Sequence, residues 1–116
     1  MITNQNNTIK NISAKISVVN IEIVRAYIQG AVHSHCKNNP EKGLSVRILF
    51  GGDNKNWKNT PLQYIYEYYK YIRKSKKPSE QAAKDVGWIL KSVLINDKRN
   101  FEYIGKDTGN IYKLIK

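Results

Sequence analysis

Four of the five residues from Arg73 to Lys77 are basic, and the run ends at Pro78, where a helix begins. Arg73, Lys74, Lys76 and Lys77 therefore sit beside free helix N–H groups, which attract phosphate. Along that helix, at 100° per residue, Gln81, Lys84, Trp88, Lys91 and Ser92 fall on the side opposite an apolar face centred on Val86. Gln can bond an adenine edge, Ser either kind of base pair, and Lys a guanine or a phosphate. No Arg stands among them, and lysine is a point charge rather than a planar fork. The set is better suited to gripping phosphates than to reading bases. Lys98 and Arg99, then Lys106, extend the cationic series downstream.

Other chemistries are poorly supplied. His33, His35 and Cys36 are metal-ligand types, but neighbours on a helix point in different directions and no second Cys/His pair completes a tetrahedron. No metal or other cofactor is expected. The nine carboxylates show no close pairing for acid–base work, and there is no glycine-rich phosphate loop. The chain is therefore not read as an enzyme, although a pocket joining Asp53 to His33 or His35 would reopen that question. Tyr64, Tyr68 and Tyr71 form a row that either covers a neighbouring element or meets a partner.

The elements that position these residues follow from periodicity. Ala82, Val86, Ile89, Leu90 and Val93 predict a helix over 79–95, closed by Asn96-Asp97-Lys98. Phe101, Tyr103, Tyr112 and Leu114 alternate with other residues on either side of a turn from Gly105 to Asn110, which predicts a hairpin over 98–115. Gly87 in mid-helix suggests close approach of another segment, and Trp88 beside it could pack on a neighbour rather than face out. Upstream, Ile21, Val24, Ile28, Ala31, Val32 and His35 predict a helix over 17–38. Ile23, Tyr27, Gly30 and Ser34 make a second stripe, for a homodimer contact or for packing within the chain. Leu44 reads as a short strand before a helix capped by Ser45 and stopped by Gly51-Gly52. Trp57 reads as an anchor for the loop around it. Thr60-Pro61-Leu62-Gln63 reads as a capping box opening a helix over 61–74, with Leu62, Ile65, Tyr69 and Ile72 on its core face.

A helix that runs straight into a glycine-turned hairpin, in a basic chain, resembles the recognition helix and wing of the winged helix-turn-helix DNA-binding superfamily. The resemblance covers about 17–50 and 79–116, with an insertion at about 51–77. It implies a mainly α fold with a C-terminal β-hairpin, four helices plus wing, in which the wing touches a minor groove or the DNA backbone.

With 116 residues the chain is long enough for one core. Residues 1–16, polar and Asn-rich, read as a flexible N-terminal arm, and 17–116 as a single domain. Twenty Lys+Arg against nine Asp+Glu give +11, which favours polyanions, nucleic acid before an anionic membrane surface. No stretch approaches membrane-spanning length. One cysteine and no signal-peptide pattern point to a reducing cytoplasm. The expected function is a small DNA-binding protein, a transcriptional regulator or a mobile-element or phage-associated factor, holding duplex DNA with helix 79–95, loop 73–77 and wing. The alternative is a protein-interaction adaptor that uses helix 61–74 through Tyr64, Tyr68 and Tyr71.

Overall fold

Ser17 opens the first helix, α1 (Val18–Asn38), by accepting the Asn20 N–H on its hydroxyl at 3.1 Å, a cap worth about 1 kcal/mol. The computed structural model describes residues 1–51 and 57–115. Val24, Ile28, Val32 and Cys36 are buried along α1, while Ile21, Ala31 and His35 lie half-buried at the border of that stripe. Leu44 then makes a single antiparallel bridge to Tyr112. Ser45 caps α2 (Val46–Phe50) through the Ile48 N–H at 3.1 Å, and Gly51 ends it at φ 85°. The helical reading of this stretch holds. Gly52 and residues 53–56, Asp53 included, lie outside the described residues.

Trp57 is 3% exposed and anchors its loop in the core. That anchoring undoes the expected capping box. The Thr60 hydroxyl donates to the Trp57 carbonyl at 2.7 Å instead of capping a helix, and α3 (Gln63–Glu67) starts later than 61. α3 runs directly into a π-helical turn, Tyr68–Ile72, closed by the Arg73 N–H on the Tyr68 carbonyl at 2.9 Å. A π turn holds more residues than an α turn, so it rotates everything after it. Ile72, expected in the core, is 73% exposed, whereas Tyr68, expected in the outer row, is buried beside Tyr69.

The axis of the molecule is α4 (Pro78–Asn96), which packs against α1, α2, α3 and the π turn. Ala82, Val86, Ile89, Leu90 and Val93 are buried on it, as the periodicity predicts, and Leu94 joins them. The hairpin follows: β1 (Phe101–Lys106) pairs antiparallel with β2 (Asn110–Leu114). A bulge between Tyr103 and Gly105 bends it, and Gly105 takes φ 139°, which glycine accommodates without a Cβ penalty. The described residues thus form four helices and a two-stranded hairpin, mainly α with the hairpin last.

Several of residues 1–16 bond to the rest of the fold. Ile2 bridges Phe101 in parallel, Thr3 donates to the Phe101 carbonyl at 2.9 Å, and the Asn4 amide bonds Tyr103 in both directions. The Met1 nitrogen donates to the carbonyls of Leu94, Asp97 and Arg99 at 2.6–2.8 Å, at the C-terminal end of α4. Ala14 is buried farther along. The expectation of a flexible arm counted few apolar groups; the bonds made here are mostly polar, from Asn and Thr side chains to the hairpin edge.

Candidate nucleic-acid interface

The side of α4 opposite the core is only partly open. From the C-terminal end inward, the Lys91 ammonium donates to Asn6 at 3.2 Å, the Lys10 ammonium stands 5.8 Å from the Trp88 ring, and Asp85 accepts the Ala14 N–H at 3.0 Å. The 1–16 segment therefore runs down this side against the direction of the helix. Asp85 is buried and also accepts the Tyr69 hydroxyl at 2.5 Å. Burial first, then that bond and the carboxylate's charge, push the Tyr69 hydroxyl well above the usual phenol range.

Beside this covered strip lies a cleft of about 370 Å³ between α4 and the hairpin turn. The helix contributes Ala83, Lys84, Gly87, Trp88, Leu90 and Lys91, and α2 contributes Val46. Across from them stand Lys106, Thr108, Gly109, Asn110 and Tyr112. Three lysines line the cleft and no carboxylate does. Among the described residues, none of the three has an acidic oxygen within ion-pair distance. Lys91 is 8% exposed, and its ammonium meets Asn6 and, at 5.4 Å, the Trp88 ring. An ammonium has three donors, so capacity for an anion remains.

Trp88 and Lys84 also border a second, smaller hollow, with Lys10, Arg73, Gln81 and the Asp85 carboxylate around it. Arg73 thereby joins the α4 surface from the linker, while Lys74, Lys76 and Lys77 are exposed next to it. Lys77 stands 3.9 Å from Glu80, an exposed pair of little strength. The half-open indole between these hollows offers a stacking face. Base–aromatic stacking is worth about 1–3 kcal/mol. Lys10 and Lys91 both stand over that ring, each contributing about 0.5–1 kcal/mol, so a stacked base competes with them on comparable terms.

Several expected contact residues are committed elsewhere. Ser92 is buried and takes the Arg25 guanidinium on its hydroxyl at 2.7 Å. Gln81 is half-buried, and its carbonyl oxygen is buried without a partner among the described residues, so it is not presented to a groove. Arg99 donates to Asp97 at 2.9 and 2.7 Å and lies 5.9 Å from the Phe101 ring. These Arg99 bonds hold the Asp97 carboxyl far below the usual carboxylate range, against the opposing effect of burial. Lys98 is exposed, but at the wrong end. The 19 residues of α4 separate Lys98 and Arg99 from the 73–77 run by about 28 Å.

Gly87 also departs from expectation: apart from its chain neighbours and its own helix backbone, no described atom lies within 4 Å of the position its Cβ would take. No segment approaches it, and it opens on the cleft. Sequence reasoning missed Thr108, Asn110 and Tyr112 on the opposite wall, because nothing local says which way a hairpin folds back. It also did not assign Asn6 to Lys91.

Of the tyrosine row, Tyr71 is 63% exposed, Tyr64 is exposed and Tyr68 is buried, and all three line one shallow hollow beside the start of α1. On α1, Tyr27 stacks on Phe50 with ring centroids 5.5 Å apart, which covers part of the second stripe from within. Burial raises the Cys36 thiol above its ordinary range, and among the described residues no three His, Cys, Asp or Glu side chains are grouped to hold a metal ion. No described helix is long and apolar enough to cross a membrane. No family model, curated protein or solved structure matches the chain.

Proposed function

We propose that this chain is a small basic DNA-binding protein of winged helix-turn-helix type, a cytoplasmic transcriptional regulator or a mobile-element or phage-associated factor. It holds duplex DNA by the phosphates, through Lys84 and Lys91 of α4, the 73–77 linker and the hairpin turn. The observation that carries this reading is the cleft in which Lys84 and Lys91 of α4 face Lys106 of the hairpin without any carboxylate among them. A polyanion neutralises such a set and releases its own counterions in doing so. The Leu44–Tyr112 bridge supports the winged type, because it ties the hairpin to the segment between the first two helices. Residues 51–77 remain an insertion in that scheme.

Because Ser92 and Arg99 are engaged within the protein, the proposed grip is narrower than the sequence implied and rests on Arg73, Lys84, Lys91 and Lys106, flanked by Lys74, Lys76 and Lys77. Fluorescence anisotropy with a labelled duplex tests it. Lys84→Glu with Lys106→Glu should weaken binding at least tenfold; an unchanged affinity would remove the proposal.

A second reading is favoured by exposed apolar groups near the start of α1. Tyr64, Tyr71 and Ile72 border a shallow hollow with Ile16, and Ile23 lies exposed farther along α1. An adaptor surface or homodimer contact would use these groups. Light scattering of the Tyr64→Ser, Tyr71→Ser protein checks that reading, which requires an assembly in the parent protein that the changes dissolve.

A further inference from the structure

We propose that the cleft between α4 and the hairpin turn takes one unstacked nucleotide of a nucleic-acid strand, its base on the Trp88 indole and its phosphate on Lys84 and Lys106. The inference deepens the DNA-binding reading above and rests on it. Three observations take it beyond a general attraction for phosphate. The cleft measures about 370 Å³, at the low end of the roughly 300–1,000 Å³ typical of small-ligand sites. A duplex offers only the edges of its paired bases, whereas a base turned out of the stack is a flat group suited to such a space.

Gly87 supplies the second observation. Glycine weakens the middle of a helix, yet nothing in the protein needs the missing side chain, since open space surrounds its Cβ position. That position borders the cleft, next to Trp88 in its lining. The third observation is the choice of lining groups. A half-exposed indole provides a stacking face, Thr108 and Asn110 provide donors and acceptors for a base edge, and the lysines receive the phosphate.

The test compares three labelled DNAs of equal length at one salt concentration: a fully paired duplex, the same duplex with one unpaired base, and a single strand. The unpaired base and the single strand should bind about tenfold tighter than the paired duplex, the scale of one stacked base. Gly87→Leu should obstruct the cleft beside Trp88 and erase that preference, with a thermal melt confirming the fold; Trp88→Leu should erase it independently. No preference in the parent protein, or a preference that survives both changes, overturns the pocket assignment. Lys84→Glu with Lys106→Glu then judges the wider reading separately, because loss of paired-duplex binding would leave the phosphate grip standing without the pocket. Thymidine monophosphate competing as strongly as the single strand would assign the cleft to a free nucleotide and overturn the strand proposal.

Discussion

Tyr69 donates its hydroxyl to the buried Asp85 carboxylate at 2.5 Å, and so joins the π turn to the middle of α4. Asp85 also accepts the Ala14 N–H, so one side chain fixes three segments. It fixes the end of the 1–16 segment nearest α1 against α4.

Tyr69→Phe should destabilise the protein by about 1–3 kcal/mol, because it removes a donor from a buried carboxylate that water cannot easily reach. Urea unfolding measures the loss, and amide exchange should quicken at Ala14. Unchanged protection at Ala14 would mean that the strand is held without this bond.

Asp97 makes stability depend on acid. Its folded carboxyl titrates below the unfolded value of about 3.9, so its contribution is complete above that value and is lost as pH falls through the lower folded one. Unfolding free energy followed from pH 5 down to 2 should decline more steeply in the parent protein than in Asp97→Asn. At neutral pH that variant should be about 2 kcal/mol less stable, since the Arg99 guanidinium loses its charged partner.

Gly87→Ala should stabilise the fold by about 0.5–1 kcal/mol, the helix-propensity difference, because the added methyl meets nothing. A rise in the urea midpoint without a change in slope is the expected result. A fall would mean that something packs against this position.

What was legible in the sequence was what one element decides by itself. Ser45 capped its helix, Trp57 anchored its loop, and the apolar stripe of α4 faced the core. Where two segments decide together, the reading slipped. The π turn after Glu67 exchanged Ile72 for Tyr68 in the interior, because a single widened turn leaves no mark in hydrophobic spacing. Lys84, Lys91, Trp88 and Lys106 were expected on one open surface; they line one cleft, but Lys91 is buried and bonded to Asn6. Ser92 and Arg99 were expected there too, but Arg25 and Asp97 had prior claim on them. A side chain's partner across the fold is not written in its own neighbourhood.

Ile72→Ser and Tyr71→Ser should each change stability by less than about 0.5 kcal/mol, as exposed sites do. Thermal melts check this. A large loss at either position would show that the exposed face is covered by a second copy in solution.

The central claim is that the cations gathered around Lys84, Lys91 and Lys106 hold DNA through its phosphates. Its most direct measurement is the slope of log affinity against log salt for duplex DNA, taken for the parent protein and for Lys84→Ala, Lys106→Ala. The account predicts a steep negative slope that becomes shallower by about 2 in the variant, close to one for each phosphate contact removed. Equal slopes in the two proteins, or binding indifferent to salt, would contradict it.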